Sequence, residues 1–328
     1  MSDKLSQNES VLGGLAGSNP PIDIQARKQP LSKTLYRDRY LYLFLVPVLA
    51  FYLVFRYLPL GGLMIAFKDY RLNLGILGSP WAGLKYFERL FASRDFYRVV
   101  RNTLFLNVYG LVAGFPVPIL LAVLLNEVRN TPFKKGVQTM LYLPHFISWV
   151  ILGGIIINIL SPGSGFVNTV LDAVFGIRIF FLGQTEWWPT VYVLSGIWRS
   201  AGWGTIIYLA AISGIDPQLF EAAIIDGANK LRQIWHITIP GIAPTIVILL
   251  ILRMGQMLNI GFEQVFMLQN LAVREVADVI STYVYRVGIE GFQYSFTTAL
   301  GVFQSAIGFI LILTANWISN RITGTGIW

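Results

Sequence analysis

The sequence contains no cysteine, and this absence excludes disulfides, thiolate metal sites and a cysteine nucleophile. Charge is also scarce: charged residues make up 13% of the 328 positions, whereas a soluble domain carries about 25%. Hydrophobic residues make up 55%, and the mean hydropathy is +0.60. These values exclude an ordinary soluble domain, and we predict an integral membrane protein.

Residues suited to catalysis or metal binding are equally scarce. The only histidines are His145 and His236, and neither has a second ligand at metal-binding spacing. No serine–histidine–aspartate arrangement can be built around them. The chain also lacks the G-x-x-x-x-G-K-[ST] phosphate loop, so it cannot bind ATP by that route. We therefore expect no metal, no cofactor and no enzymatic activity in this chain.

Six apolar stretches are each long enough to cross a membrane as a helix, which needs about 20 residues. The polar residues 1–39 are predicted to form a cytoplasmic tail, and residues 40–328 a transmembrane domain. Because the tail is polar, the first stretch is expected to be an uncleaved anchor. We predict an all-α membrane protein with six transmembrane helices, at roughly 41–62, 103–126, 137–160, 189–213, 242–262 and 294–318.

The second stretch combines small residues with prolines. Gly110 and Gly114 are four residues apart, a spacing that lets a neighbouring helix approach closely. Pro116 and Pro118 are predicted to kink the same helix, because proline removes a backbone donor.

Basic residues predict the orientation, because Lys and Arg are enriched in cytoplasmic loops. They are concentrated in the tail, in residues 127–136 and in residues 214–240, whereas residues 161–188 carry only Arg178. Both termini are therefore predicted to be cytoplasmic. The net charge of +8 has the same explanation, so no nucleic acid is expected as a partner. One segment disagrees: residues 63–102, predicted to be outside, contain Lys68, Arg71, Lys85, Arg89, Arg94, Arg98 and Arg101.

A polar segment between the fourth and fifth stretches reads EAAIIDGANKLRQIWHITIP. Asp216 is suited to cap a helix whose first turn holds Pro217, and Gly227 is suited to its left-handed end. A second short helix is predicted over 229–237 and is expected to stop at Pro240. The small residues fit docking into a groove of another protein, although a solvated connector would need the same turn chemistry.

This segment resembles the cytoplasmic EAA loop of ABC importer permeases, in which Glu-Ala-Ala is followed after three residues by glycine and later by Ile-x-x-Pro. Trp235 stands where the family often has phenylalanine. The stretches GLMIAFKDY, WAGLKYFERLF, RNTL and YLPHFISWVI are similar to the oligosaccharide and polysaccharide branch of the carbohydrate class. The resemblance covers roughly residues 40–328. The positions that it assigns to ATPase coupling are Glu221, Ala222, Ala223, Asp226, Gly227, Ala228, Ile237 and Pro240.

The resemblance implies the ABC type I importer permease fold in a bacterial inner membrane, with a cytoplasmic coupling helix in loop 214–240, between helices 4 and 5. It implies a heterodimer with a second, homologous permease subunit. Two ATPase subunits would bind ATP and Mg²⁺, and an external or periplasmic sugar-binding protein would deliver an oligo- or polysaccharide such as alginate. The EAA loop would be the lever through which the ATPases move the transmembrane helices.

Polar residues within the spans are candidates for the translocation path. A central arginine costs about 2.5 to 3.5 kcal/mol to insert, so it is expected to face a cavity or a partner. On one continuous helix, the four polar residues of the fifth stretch would fall within an arc of about 120°. A structural contact with the second permease, including an acid partner for Arg253, is the open alternative. The path candidates are Trp198, Arg199, Arg253, Gln256, Asn259 and Glu263, with Trp203, Gln304 and Ser305 as further polar or aromatic neighbours.

Three other functions compete with this interpretation. A secondary transporter driven by an ion gradient would commonly show internal repeats and acids within the membrane, and neither is evident in this sequence. A membrane-embedded enzyme would need a catalytic cluster, and the third alternative is a channel or scaffold. ATP-dependent transport that requires a separate ATPase chain distinguishes the permease from all three.

Overall fold

The structure is a computed structural model that describes residues 38–323. The described residues are largely helical and contain no β-strand beyond an isolated bridge between Lys68 and Trp81. The predicted tail, residues 1–39, lies almost entirely outside the described residues. The helices are α1 Arg39–Tyr52, α2 Gly75–Gly78, α3 Lys85–Ala92, α4 Arg94–Gly114, α5 Pro116–Glu127, α6 Thr131–Tyr142, α7 Trp149–Ile159, α8 Phe166–Phe175, α9 Trp188–Ser213, α10 Pro217–Ile225, α11 Lys230–Gln233, α12 Ile239–Gly255, α13 Phe262–Leu268, α14 Arg274–Ala277, α15 Ile280–Val284 and α16 Tyr294–Thr323.

The chain divides into two compact units, Met1–Gly61 and Gly62–Trp328. The first unit contains α1, an apolar helix in which no side chain is buried. A helix with apolar side chains on all its exposed faces is typical of a span that contacts lipid. The second unit contains α2 to α16.

Within residues 38–323, four helical segments are long and apolar enough to cross a membrane: Arg39–Phe67, Arg94–Glu127, Lys230–Gly255 and Tyr294–Arg321. A fifth span is possible if Thr131–Phe146 and Trp149–Ile159 are counted together, although these two are bent by 105°. The predicted fourth span corresponds to α9, whose 26 residues are long enough but less apolar. The described helices are therefore consistent with the predicted six spans, and the count itself stays a prediction.

The predicted bounds of the fifth span, 242–262, are wrong at both ends. Its helix begins at Lys230 and runs through a widened turn at Ile234–Thr238 into α12, so Pro240 does not end a separate helix. The proline is tolerated because it lies in the first turn of α12, directly after the widened turn, where a missing N–H costs least.

The same helix ends at Gly255, and residues 256–261 are not helical. Two side-chain amides satisfy backbone carbonyls in this break. Asn107 Nδ2 on α4 donates to the Met257 carbonyl at 2.8 Å, and Gln304 Nε2 on α16 donates to the Leu258 carbonyl at 2.7 Å. Such replacement partners make a broken span possible inside a membrane.

Long helix α9 lies at the centre of the second unit and contacts α4, α5, α6 and α12. Glycines set how closely it approaches its neighbours: a Cβ added to Gly202 would lie 2.0 Å from the Leu141 carbonyl oxygen of α6. The predicted close approach is confirmed at Gly114, where an added Cβ would lie 3.2 Å from Ile197 Cγ1. At Gly110 it is wrong, because an added Cβ would meet no atom within 4 Å.

The prolines of the second span were predicted to kink it, and the structure has an interruption of the helix at Phe115. Helix α4 ends at Gly114 and α5 starts at Pro116, whose missing N–H falls in a first turn. Pro118 packs against α9, since a Cβ added to Gly204 would lie 3.1 Å from its Cβ. The α5–α9 contact is completed by a cluster of buried residues: Ala122, Val123, Tyr208, Ile212 and Ile242.

Candidate functional site

A cavity of about 330 Å³ lies where the break at residues 256–261 meets α4, α9 and α13. Its wall is shaped by glycines, since Gly110 on α4 leaves open space and Gly196 on α9 faces Gln264. The polar residues that line it are Asn107, Tyr192, Arg199, Ser200, Arg253, Asn259 and Gln264. A concave surface with a few convergent polar groups is the usual form of a small-molecule site.

The two arginines of this cavity have different surroundings. Arg199 is held in place: its Nε donates to the Ile147 carbonyl at 3.2 Å, and its guanidinium lies 5.0 Å from the centre of the Trp149 ring. Arg253 is the third residue from the end of α12. Its side chain is exposed and forms no hydrogen bond or salt bridge within residues 38–323. The acid partner considered for Arg253 is therefore not within the described part of this chain.

No aspartate or glutamate lines the cavity within the described residues. The two guanidinium groups are thus not offset by an acid of the same wall. A guanidinium forms strong, two-point hydrogen bonds with a carboxylate. This arrangement favours an anionic ligand over a cationic one.

The structure brings only part of the predicted path together. Arg199, Arg253 and Asn259 line the cavity, whereas Trp198, Gln256 and Glu263 do not. The expected arc of about 120° was drawn on one continuous helix. It is wrong because the helix ends at Gly255, so Arg253 and Glu263 lie on different helices.

Trp203, Gln304 and Ser305, the three further neighbours predicted for the path, do not line this cavity. Trp203 stacks on His145, with 4.7 Å between the ring centres. Gln304 is bonded to the helix break, as described above. Ser305 lies in an adjacent groove, which shares Asn259 with the cavity.

Gln264 is the polar residue of this site that sequence reasoning missed. It is buried on α13, and its Nε2 donates to the Tyr192 carbonyl at 2.7 Å and to Ser195 Oγ at 3.1 Å. The bonds fix α13 against α9 and so fix one wall of the cavity. The available signal was an amide within an apolar run, but its face could not be assigned without the break before α13.

A second site is the segment 214–240, which begins with α10. The Asp216 carboxylate accepts a hydrogen bond of 2.9 Å from the Gln218 N–H, as predicted for the helix cap. The left-handed end is also confirmed, since Gly227 has φ +74°. A second cap follows at once: Asn229 Oδ1 accepts from the Arg232 N–H at 2.9 Å.

The residues that the resemblance assigns to coupling lie mostly on the surface. Helix α10 has no buried residue, and Ala223 and Ala228 are half-buried against a small cavity of about 270 Å³ that also contacts Ile237. Ile237 and Pro240 belong to the long fifth-span helix rather than to the loop. Large apolar side chains surround the glycine turn: Ile225 is 86% exposed, Leu231 65% and Trp235 64%. The exposed coupling residues are Glu221, Ala222, Asp226, Gly227 and Pro240.

This segment lies at the same end of the helices as the 127–136 loop. Lys230 Nζ forms a salt bridge of 3.1 Å with Glu127 Oε2 at the end of α5. The Gln233 side chain is buried and donates to the Ala228 carbonyl at 3.0 Å, which ties α11 to the glycine turn. An exposed apolar surface on a tied backbone is suited to contact with another protein.

Comparison with known proteins shows the family of this chain. Residues 114–324 match the family described as binding-protein-dependent transport system inner membrane component. The chain is 49% identical to the polygalacturonan/rhamnogalacturonan transport system permease protein YteP of Bacillus subtilis (strain 168), over 93% of this chain and 94% of that protein.

Two solved structures of a bacterial ABC transporter are also similar to this chain in sequence and fold. One chain of a bacterial ABC transporter involved in the import of the acidic polysaccharide alginate is 44% identical, with a TM-score of 0.83 over 89% of this chain and 99% of that one. A second structure shows the bacterial alginate ABC transporter in complex with an alginate pentasaccharide-bound periplasmic protein. Its matching chain is also 44% identical, with a TM-score of 0.83 over 90% of this chain and 99% of that one. This chain therefore belongs to the inner-membrane permease components of binding-protein-dependent ABC transport systems.

Proposed function

We propose that this chain is one permease half of an ATP-driven importer for acidic oligosaccharides, with alginate or polygalacturonan fragments as the cargo. Alginate and polygalacturonan, which appear in the names of its relatives, are chains of uronic acids, in which each sugar carries a carboxylate. The observation that carries the proposal is the cavity at the helix break, where Arg199 and Arg253 face an acid-free wall.

The two arginines have complementary roles in this proposal. Arg199 is fixed by Trp149 and by the Ile147 carbonyl, so it presents a positioned charge. Arg253 has no partner in the described chain, so its guanidinium can bind a passing carboxylate without breaking an existing contact. The side-chain oxygens of Asn107, Asn259 and Ser200 can accept hydrogen bonds from sugar hydroxyls, whereas the Asn107 amide N–H groups and the Ser200 hydroxyl already donate within the chain.

The partners follow from the second site. The exposed surface around Gly227 docks on an ATPase subunit, which binds ATP and Mg²⁺, and the second half of the path is a related but different permease. A binding protein delivers the oligosaccharide at the opposite end. With residues 127–136 and 214–240 at one end, both termini lie in the cytoplasm, in agreement with the distribution of basic residues.

The test is reconstitution of the complex that co-purifies with this chain. Vesicles containing it should take up a uronate pentasaccharide only with ATP, Mg²⁺ and the binding protein present, and uptake of maltopentaose should be much slower. An ionophore that collapses ion gradients should leave uptake unchanged, whereas it would abolish uptake by a secondary transporter. Equal uptake of both sugars, or uptake without ATP, would overturn the proposal.

A further inference from the structure

The basic residues of segment 63–102, which disagree with the predicted orientation, differ in their partners. Five have partners in the chain: Lys68 bonds to the Ile76 and Leu77 carbonyls, Lys85 to Asp69, Arg89 to Gln293, Arg98 to Asp95 and Asp278, and Arg101 to the adjacent Asn102 Oδ1 at 3.4 Å. The other two, Arg71 and Arg94, are exposed, as is Arg101, and none of these three arginines forms a salt bridge within residues 38–323. Structural pairing therefore does not account for the whole excess of positive charge.

Two of these arginines meet in one cavity. Arg94 and Arg101 line a space of about 360 Å³ together with Arg98, Tyr97 and two acids, Asp95 and Glu275. Because Asp95 is bonded to Arg98 at 2.8 Å, Arg94 and Arg101 share a single remaining acid, Glu275. A second cavity of about 260 Å³ shares Arg101 and continues along α4 to Phe105 and Val276.

A buried network fixes the walls of this cavity. The Asp278 side chain is fully buried and accepts from Arg286 at 2.6 Å, and Arg98 lies 3.9 Å from the same carboxylate. Asn102 Nδ2 donates to the Glu275 carbonyl at 2.7 Å and to the Asp278 carbonyl at 3.0 Å, which joins α14 to α4. The Nε of Arg98 is buried and has no partner in the described chain, so one donor of the cavity remains unsatisfied.

The position of these arginines on α4 also points to an anion. Arg94 is the first residue of the helix, and Arg98 lies one turn later. A helix N-terminus carries a partial positive charge, so cations are disfavoured there and anions are favoured. A bound carboxylate would relieve this repulsion.

We propose that this cavity binds one uronate unit of an acidic oligosaccharide at the outer entrance of the permease. Arg94 and Arg101 would hold the sugar carboxylate, the exposed Tyr97 ring would contact the sugar face, and Glu275 would accept from a hydroxyl. The adjoining cavity at Phe105 leaves room for the next sugar of the chain. The inference rests on the proposed function for the orientation and for the class of cargo.

A concave wall with an aromatic ring and an acid fits a sugar better than it fits the surface of the binding protein. A protein surface needs an extended contact, whereas this cavity combines an arginine fork, an apolar face and a hydroxyl acceptor in a space of a few hundred cubic ångströms. The site would retain released cargo at the entrance and so shorten the transfer from the binding protein.

The test measures binding of a uronate pentasaccharide to the intact purified complex in nanodiscs, without ATP and without the binding protein. Each of Arg94→Gln and Arg101→Gln should weaken this binding at least tenfold, and maltopentaose should not bind. Arg71→Gln is the matched control, because it removes an exposed, unpaired arginine of the same segment that lies outside the cavity. Arg253→Gln changes the cavity at the helix break instead, and it should leave binding at the outer cavity unchanged.

Three outcomes would overturn the inference. One is unchanged sugar binding in both variants, and another is equal weakening by Arg71→Gln, which would indicate only a general field of positive charge. The third is weaker docking of the sugar-free binding protein with no sugar binding by the complex, which would make the cluster a protein contact. Failure of wild-type uptake in the reconstituted vesicles would instead contradict the proposed function, so the two failures are distinguishable.

Discussion

The N–H of Ala228 donates a hydrogen bond of 2.8 Å to the carbonyl of Ala223, five residues before it. Inside this loop, the Gly227 N–H donates to the Ile224 carbonyl at 3.0 Å. The two bonds form a Schellman motif, which closes a helix when the residue between them is left-handed. The end of α10 and the direction of the following chain are therefore fixed by one glycine.

We predict that Gly227→Val weakens the coupling between the permease and the ATPase. A β-branched residue at φ +74° costs about 1–2 kcal/mol or more, and it costs this by backbone strain alone because an added Cβ would meet no atom within 4 Å. The turn should change shape and alter the surface proposed to dock on the ATPase. Uptake and the stimulation of ATP hydrolysis by loaded binding protein should both fall several-fold.

Gly176→Val is the matched control for this prediction. Gly176 ends α8 with φ +67°, and an added Cβ there would also meet no atom within 4 Å. The control introduces similar strain at a helix end outside segment 214–240. If it reduced coupling as much as Gly227→Val, or if Gly227→Val left coupling intact in an assembled complex, the lever role of the turn would be refuted.

The turn at Gly227 and the break after Gly255 differ in how far the sequence could predict them. The cap at Asp216 and the left-handed glycine depend on neighbours within a few residues, so local patterns predicted both. The break depends on Asn107 and Gln304, which are 150 and 46 positions away from the carbonyls that they satisfy. A local helical arc could not include these partners, so it did not show the break or bring Gln264 into the wall of the cavity. The path roles of Gln256 and Glu263 stay predictions.

We predict a large loss of stability for Asp278→Asn. The Asp278 side chain is fully buried and pairs with Arg286 at 2.6 Å, so its neutralisation leaves a partly buried arginine without its acid. Removal of one member of a buried pair costs about 3–5 kcal/mol. The apparent melting temperature of the purified complex should fall markedly.

The control is the same substitution in an exposed pair, Asp172→Asn. Asp172 and Arg178 are separated by 2.9 Å, but their side chains are 42% and 54% exposed, and such pairs contribute about 0–1 kcal/mol. The melting temperature should hardly change. Similar effects of both substitutions would show that the Asp278 network does not stabilise the outer cavity.

The orientation can be tested directly, because the chain has no native cysteine. Thr131→Cys should react with an impermeant thiol reagent only from the cytoplasmic side, and Ile177→Cys only from the outside. Thr131 begins α6 beside the basic residues of the 127–136 loop. Ile177 lies in segment 161–188, whose only basic residue is Arg178. Reaction of both cysteines from the same side would contradict the orientation and, with it, the outer location of the uronate cavity.

The last prediction concerns the charge of the cargo. Arg253→Gln should reduce uptake of a uronate pentasaccharide roughly tenfold or more, since a hydrogen bond to a charged group contributes about 1.5–3 kcal/mol. Uptake of any neutral pentasaccharide that the complex accepts should change little, because Arg253 has no partner in the described chain whose loss would disturb folding. Arg253→Lys keeps the charge but not the two-point geometry, so it should restore part of the uronate uptake. The measurement is initial uptake into reconstituted vesicles at matched saturation of the binding protein. Equal loss for both cargoes would instead identify Arg253 as a contact with the second permease, because a broken subunit contact does not depend on the charge of the sugar.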